Sequence, residues 1–327
     1  LHRRTDCTAY RCPSHRAGGI SRRFRISHIK EQLETEYYDI EDLLLMGKNE
    51  VPEDSSLLVI SGPEKDPFPF EFDSIKKYLE KGGRVLFMLD PYVAPAFSSF
   101  LKQYNVILED DIIIDKENKL FGYEERTPII SDFTTHEITR AFAGAGVTFV
   151  FSLARSVGTK ESGEEEGKNI ETELEEFLKT SKDSWKELDK KSVESSKITF
   201  DPDKDTKGPI TVGVAGKLTI NTKDTKDKKG IKKEGRFVVY GDSDFANNFY
   251  WEILGNRDLF LNTISWLTEE GILISIREKK QSAMPKLSPF FLSDLQGRII
   301  LFVTVIFMPV LFLIIGIFIY IQRKFYS

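Results

Sequence analysis

Residues 299–321 form a run of 23 positions without a charged side chain, and no other segment limits the possible structures of this chain as strongly. A helix rises about 1.5 Å per residue, so this run can cross the roughly 30 Å hydrocarbon core of a bilayer. Pro309 lies inside it, and helices in lipid tolerate a proline by kinking. Arg323 and Lys324 follow shortly afterwards. The positive-inside rule therefore predicts a single-pass C-terminal anchor in the inner membrane, a cytoplasmic tail at 322–327 and an extracytoplasmic body.

The composition of the whole chain is that of a globular protein without a strong charge. Of its 327 residues 40% are hydrophobic, including 25 Phe, which is enough apolar material for a sizeable core. The 46 basic and 51 acidic residues give a net charge of -5. Because phosphate binding needs a basic surface, this balance argues against nucleic acid as a partner.

Residues 1–23 differ from the rest of the chain. They contain six arginines but show neither alternation nor helical periodicity, so we predict a disordered or non-native tail. Cys7, Cys12 and His15 have the side chains of zinc ligands, but a fourth ligand and a supporting fold are missing. We therefore expect no metal site in this tail.

From residue 24 onward, predicted helices and strands alternate as a parallel α/β sheet requires. The spacing of apolar residues predicts helices at 27–36, 69–80 and 94–103, and strands at 38–43, 57–60, 84–89, 106–114, 129–130 and 147–151. A last strand at 236–240 and a helix that Asn256 caps complete the pattern. We assign 24–158 to the first part of an α/β domain and 236–271 to its last strand and helix.

Residues 159–235 interrupt this domain with a polar excursion. They are rich in Glu, Lys, Ser and Asp and contain few large apolar side chains. We predict a solvated segment with a strand pair and a charged surface loop, in which a strand at 210–220 leads through the loop to the strand at 236–240. Residues 272–298 form a membrane-proximal linker that contains Pro285 and Pro289.

Polar residues follow two of the predicted strands. Parallel strands present their ligand sites at their carboxyl ends, although an Asp-Pro pair is also a common way for a chain to leave a strand. We predict a rim that contacts a partner or ligand there, formed by Asp90, Tyr92, Asp242, Ser243, Asp244, Asn247 and Asn248.

The triplet that contains Ser243 is typical of one group of serine hydrolases, which provides an enzymatic alternative. That chemistry needs a histidine base downstream, whereas the last histidine is His136, in a stretch that favours the start of a helix. Asp242 and Asp244 do not continue into a calcium-binding loop, and no glycine-rich phosphate loop follows a strand. We therefore predict a protein that is not an enzyme and has no cofactor or metal.

Several segments occur in an informative order: VPEDSSLLVISGPEKDPFPFEFDSIKKYLEKGGRVLFMLDPY, THEITRAF, TSKDSWKELD, GPITVGVAG, RFVVYGDSDFANNFYWEILGNRDLFLNTISWLTEEGILISIREK and the membrane helix. Together they resemble the auxiliary component of gliding-motility ABC transport systems, the GldG-like family. The resemblance implies a flavodoxin-like body, similar to glutamine amidotransferases without the nucleophile cysteine, and no catalytic residues. It implies an ABC permease and a P-loop ATPase as partners. Family members usually have another membrane helix near the N-terminus, where residues 1–23 offer none.

We therefore expect a non-catalytic, membrane-anchored accessory subunit of an ABC-2-type transport system, in contact with the lipid bilayer. Two alternatives remain open. One is a membrane-tethered serine hydrolase that uses Ser243, and the other is a structural envelope protein without a transporter.

Overall fold

A mixed sheet of eight strands organises the body of the protein. The computed structural model describes residues 5–10, 27–45, 50–119, 122–160, 170–194, 198–222, 231–269 and 294–326. Its strands are β1 (Thr5–Tyr10), β2 (Tyr38–Leu43), β3 (Leu57–Ser61), β4 (Arg84–Met88), β5 (Val106–Leu108), β6 (Ile112–Ile114), β7 (Ile129–Ile130), β8 (Asp132–Phe133), β9 (Phe149–Val150), β10 (Val157–Thr159), β11 (Ile170–Lys179), β12 (Trp185–Glu187), β13 (Thr206–Lys207), β14 (Thr211–Thr222) and β15 (Ile231–Tyr240). Its helices in the body are α1 (Ser27–Thr35), α2 (Pro69–Glu80), α3 (Ala96–Lys102), α4 (Lys190–Glu194) and α5 (Asn256–Leu267).

The main sheet has the strand order β2-β1-β3-β4-β15-β14-β11-β8. The first five strands are parallel, and the last three are added antiparallel. Smaller sheets pair β5 with β10, β7 with β9, and β12 with β6 and β13. The fold is therefore α/β, as the alternation of elements predicted, but its sheet is mixed and not wholly parallel.

The central strands of the parallel half are buried on both faces. Along β4, Leu86 and Met88 join the core under α1 and α5, while Val85 and Phe87 join the core under α2 and α3. Side chains alternate between the faces of a strand, so a strand with helices on both faces must be apolar at nearly every position. This explains why the sequence predicted β3 and β4 well.

Strand β1 corrects the prediction for the N-terminal segment. Residues 1–23 were expected to lack regular structure, but Thr5–Tyr10 lies in the sheet between β2 and β3 and is parallel to both. Threonine, cysteine and tyrosine suit a strand, but six such residues give no periodic signal without their neighbours in the sheet. The rest of this segment, with Cys12 and His15, lies outside the described residues.

The polar excursion is also more ordered than predicted. Strands β11 and β14 extend the main sheet, and Phe177 and Leu178 are buried in it. Glu171, Glu173 and Glu175 alternate along β11 and are exposed. An antiparallel strand with one solvated face gives this pattern. Composition alone did not predict the strand, because its many glutamates are typical of a solvated segment. Strand β12 pairs with β6 over a separate, small core, formed by Ile112, Ile114, Trp185, Val193 and Ile198.

The predicted membrane segment is helical. The helix Leu295–Lys324, which contains this segment, is long and apolar enough to cross a membrane, and its most apolar 18 residues are not buried. The helix consists of Asp294–Leu301, a π-helical stretch Phe302–Phe307, and Met308–Tyr326. The π-helical stretch lies just before Pro309, whose ring would collide with the carbonyl four residues earlier in a regular helix. Most of the linker at 272–298 lies outside the described residues.

Candidate functional site

The carboxyl ends of β3, β4 and β15 lie side by side and bring the predicted residues together. The amide of Leu89, just after β4, donates to the carbonyl of Tyr240 at 3.0 Å. The amide of Gly62, just after β3, donates to the carbonyl of Met88 at 2.8 Å. The loop that starts at Asp90 therefore begins beside the loop that starts at Gly241.

Asp90 and Ser243 form a direct pair between these two loops. The backbone amide of Ser243 donates to Oδ1 of Asp90 at 2.7 Å, and its hydroxyl donates to Oδ2 at 2.9 Å. Both carboxylate oxygens of Asp90 thus accept from one residue, 153 positions away in the chain. The pair ties β4 to β15 beyond the end of their ladder.

Asp242 is turned inward. It is 1% exposed, and its carboxylate accepts from the amides of Ser152 at 2.9 Å, Asp244 at 2.7 Å and Phe245 at 3.1 Å. Burial raises the pKa of Asp242 well above its usual range, and the nearby carboxylates of Asp90 and Asp244 act in the same direction. Its function is to satisfy backbone donors that water cannot reach.

Asn247 and Asn248 also bind backbone groups. Oδ1 of Asn247 accepts from the amides of Phe249 at 2.8 Å and Tyr250 at 2.9 Å. Asn248 lies in the loop after β15 and binds the first turn of α1, because its Oδ1 accepts from the amide of His28 at 3.1 Å. Its side-chain amide donates to Oγ of Ser27 at 2.8 Å.

Tyr92 packs against the excursion. Its backbone is left-handed, with φ of 60°, and its ring lies against the small core that contains Ile112 and Trp185. Nζ of Lys190 lies 4.9 Å from the ring centroid. Burial, with Asp111 next in effect, raises the pKa of Tyr92 to about 12. Tyr92 therefore joins β4 to the excursion.

Arg155 is a central residue that sequence reasoning missed. Only 2% of its side chain is exposed, and it donates to the carbonyl of Glu109 at 2.7 Å and to Oδ1 of Asp110 at 3.0 Å. Burial lowers the pKa of Arg155, while the carboxylate of Asp110 acts in the opposite direction. Its backbone amide binds the carbonyl of Gly241 at 2.8 Å. A Cβ at Gly241 would lie 2.0 Å from the carbonyl oxygen of Arg155, so only glycine fits there.

The predicted rim therefore needs a correction. Asp242 and Ser243 are 1% and 8% exposed, and their polar groups are used inside the protein, so neither offers a surface to a partner. They turn inward because the tight approach of this loop to Ser152 and Arg155 buries amides that require acceptors.

Large apolar side chains, which the sequence analysis did not single out, are exposed on loops that follow the strands and in the first turn of α2. We call this set the apolar edge; its members are Leu44 (47% exposed), Phe68 (49%), Phe70 (38%), Leu153 (36%) and Phe249 (65%). The rings of Phe68 and Phe70 are stacked with centroids 5.8 Å apart, and Phe249 packs edge-on against Tyr250 at 4.9 Å. In the sequence, Phe68 precedes Pro69 and Phe249 follows Asn248, and proline and asparagine are common where a loop meets a regular element. Large apolar side chains exposed near a common edge are candidates for an interaction surface.

His136 does not approach Ser243 through any described contact. Its ring lies 5.3 Å from that of Phe177 and 5.0 Å from that of Trp266, and its Nδ1 accepts from the amide of Ile138 at 3.2 Å. Burial lowers the pKa of His136. Among the residues that the structure describes, no group of three His, Cys, Asp or Glu side chains could hold a metal ion.

The comparisons with known proteins concern the fold. No family model matches the chain, and no curated protein matches it. The solved mmIFT52 N-terminal domain is 15% identical with a TM-score of 0.54, over 80% of this chain and 97% of that domain. A ThuA-like protein from Bacteroides uniformis is 12% identical with a TM-score of 0.42, over 81% of this chain and 91% of its own. A GMP synthase component from Thermoplasma acidophilum is 12% identical with a TM-score of 0.34, over 86% of this chain and 100% of its own. The chain thus has a mixed α/β fold similar to that of the mmIFT52 domain.

Proposed function

We propose that this protein is a non-catalytic, membrane-anchored accessory subunit of an ABC-2-type transport system of the GldG-like kind. In this proposal the α/β body binds a protein partner through the apolar edge. The main support lies at the carboxyl end of the sheet, where the hydroxyl of Ser243 and the carboxylate of Asp242 are used internally while several large apolar side chains are exposed. Exposed apolar side chains bind a partner because the partner removes them from water, and they contain no nucleophile or base.

The strand order supports the flavodoxin-like interpretation of the body. Counted along the chain, the five parallel strands lie in the order 2-1-3-4-5. Flavodoxin-like sheets have this order, and they bind their ligands beyond the carboxyl ends of the strands. The apolar edge lies at those ends, which agrees with a binding role there.

The surroundings of Ser243 favour a non-catalytic role. Acyl transfer needs a nucleophile that the substrate can reach, a base for its proton and donors for the oxyanion. Ser243 is only 8% exposed, and its hydroxyl donates to Asp90. The arrangement serves to join β4 to β15, so we do not favour the hydrolase alternative.

The C-terminal helix supports a membrane anchor. Leu295–Lys324 exposes a continuous apolar surface, which lipid would cover at far lower free energy than water. We propose that the helix lies in the inner membrane with the body on the extracytoplasmic side. One helix cannot form a substrate pathway, so a permease and a P-loop ATPase would supply the pathway and the energy.

The test is purification in mild detergent through a tag on the cytoplasmic end. We expect a polytopic permease and a P-loop ATPase in a stable ratio to the tagged chain. Phe249→Ser should lower that ratio, because it removes the most exposed member of the apolar edge. Leu188→Ser is the matched control, since Leu188 is also exposed, at 49%, but lies beside β12 in the excursion.

Two results would contradict this proposal. A chain that migrates alone in every detergent, and keeps its abundance after deletion of neighbouring transporter genes, would favour a structural envelope protein. A purified protein that hydrolyses a model ester and loses this activity in Ser243→Ala would establish the hydrolase alternative. We expect Ser243→Ala to leave hydrolysis at the background rate and to reduce stability by about 1 kcal/mol.

A further inference from the structure

The π-helical stretch in the C-terminal helix changes which amides and carbonyls are paired along its backbone. The amide of Met308 donates to the carbonyl of Val303, five residues earlier. In this register the next amide, that of residue 309, would donate to the carbonyl of Thr304. Residue 309 is proline, which has no N–H. The carbonyl of Thr304 therefore lacks the intrahelical donor that its register assigns to it.

The depth of this carbonyl makes its pairing important. Thr304 lies five residues inside the uncharged run at 299–321, which corresponds to about 8 Å of helix. That depth is within the hydrocarbon of one leaflet, where no water is available to replace the missing donor. The hydroxyl of Thr304 cannot replace it either, because it donates to the carbonyl of Ile300 at 2.8 Å.

We propose that the turn formed by Thr304 and Pro309 is a docking point for a transmembrane helix of a different protein. That helix would present a side-chain O–H or N–H donor at the same depth and donate it to the carbonyl of Thr304. The inference rests on the membrane anchoring proposed above and adds to it the chemistry of the partner. The partner helix is otherwise apolar and contains one polar residue, such as asparagine or glutamine, at this level.

A second copy of this chain does not fit the requirement. Between residues 299 and 321 the only side chains with a donor are Thr304 and Tyr320. The hydroxyl of Thr304 is used within its own helix. Tyr320 lies 16 residues further along, about 24 Å away in a helix. Copies in one membrane share one orientation, so neither residue of a second copy reaches the carbonyl as a free donor.

The test uses the full chain in phosphatidylcholine vesicles with two synthetic host helices. Both hosts are polyleucine helices that span the bilayer. One of them has a single asparagine about 8 Å inside the hydrocarbon, measured from the boundary at which residue 299 of the full chain lies. Energy transfer between the labelled chain and each host gives the two association constants. We expect the asparagine host to bind about 3-fold to 20-fold more tightly, as interhelical hydrogen bonds in membranes do.

Two variants isolate the carbonyl. Pro309→Leu restores the missing N–H and favours a regular helix, so the two hosts should then bind equally within about twofold. Val310→Leu keeps the proline and should retain the preference. Because Pro309→Leu strengthens helix formation, a loss of preference in this variant cannot result from failure of the helix to form.

Three results would overturn the inference. They are equal binding of both hosts by the wild-type chain, a preference that persists in Pro309→Leu, and self-association as strong as binding of the asparagine host. Alkaline carbonate extraction separates this inference from the proposed function. Release of the wild-type chain would overturn both, whereas a chain that stays in the membrane without a host preference overturns the docking point alone.

Discussion

The two halves of the main sheet have opposite relations to solvent. In the parallel half, β4 lies between two cores, and both Leu86 and Phe87 are fully buried although they point to opposite faces. In the antiparallel half, β11 buries Phe177 near its end and exposes Glu173 to water. One sheet thus combines a strand covered on both sides with a strand covered on one.

This difference separates two kinds of stability. A strand covered on both faces is stabilised by apolar burial, and nearly every side chain contributes. A strand with a solvated face depends on alternate residues and on polar contacts at the border, such as those of Glu176 with Thr159 and Thr211. The halves should therefore respond differently to truncation of side chains and to pH.

The largest effect should come from Phe87→Ala in β4, with Leu174→Ala in β11 as its counterpart. Phe87 is fully buried, so its truncation should reduce the free energy of unfolding by about 3–5 kcal/mol. Leu174 is half-buried, and its truncation should cost about 1–2 kcal/mol. Urea unfolding of the full chain in micelles, followed by tryptophan fluorescence, measures both. Equal losses would mean that the halves do not differ as described.

Asn256 provides the next test, because α5 packs on β4 and β15 of the parallel half. The sequence predicted that Asn256 caps α5, but Gly255 precedes the helix and the Asn256 side chain is buried. It accepts from the amide of Val150 at 2.9 Å and donates to the carbonyls of Val150 at 2.8 Å and Phe245 at 2.9 Å. Asn256→Ala leaves three backbone groups unpaired and should cost about 2–4 kcal/mol.

The matched control for this variant is Asn262→Ala in the same helix. Asn262 is also buried but makes one such bond, to the carbonyl of Ile138 at 3.1 Å. It should cost about 1–2 kcal/mol in the same unfolding measurement. A cost for Asn262→Ala as large as that for Asn256→Ala would show that burial of the amide, and not its bonds to the backbone, determines the loss.

The pH dependence of stability should have opposite signs in the two halves. The pKa of Asp242 is raised in the folded state. The stabilisation of the fold that this shift provides is complete below the pKa of the unfolded chain, about 3.9, and is lost as pH rises through the pKa of the folded state. For Glu176, burial acts to raise the pKa, but hydrogen bonds from Thr211, Lys179 and Thr159 outweigh it and the pKa is lowered. Its contribution is complete above about 4.3 and is lost as pH falls through the folded value.

Asp242→Asn and Glu176→Gln measure these contributions. The stability of the wild type relative to Asp242→Asn should decrease as pH rises from about 4, and relative to Glu176→Gln it should increase as pH rises towards about 4.3. Asparagine keeps only one acceptor for three amides, so the slope against pH is the informative quantity and the offset is not. Slopes of the same sign would refute the contrast.

The smallest effect should come from Glu173→Gln on the solvated face of β11. Its side chain is exposed, and surface substitutions of this kind usually change stability by less than about 0.5 kcal/mol. A larger loss in urea unfolding would indicate that this face is covered in the assembled protein.

The elements that local patterns predicted are those with a complete local signal. Helix α2 was predicted with its observed bounds, because Pro69 begins an amphipathic stretch that a glycine pair ends. Strands β2 and β7 were also predicted with their observed bounds. The predicted strand at 106–114 is instead two strands, since β5 and β6 belong to different sheets. Their separation depends on distant partners, β10 and β12, which no local window contains.

The candidate site was predictable only in its position. The ends of β4 and β15 were expected to meet, and Asp90 does contact Ser243. Which polar residues remain accessible was not predictable, because burial of Asp242 depends on the approach of residues 152–155 from a distant loop. Arg155 lies in a stretch without any motif, so its role depends entirely on tertiary contacts.

The position of β15 between β4 and β14 has a consequence for biosynthesis. Arg84 on β4 pairs with Arg236 on β15, so the ribosome must add 152 further residues before that pairing can form. Until then the nascent chain presents β4, an apolar strand, as an unpaired edge, and such edges recruit other strands. Fragments that end before residue 231 should therefore aggregate, and the intact chain should depend on chaperones that shield this edge during translation.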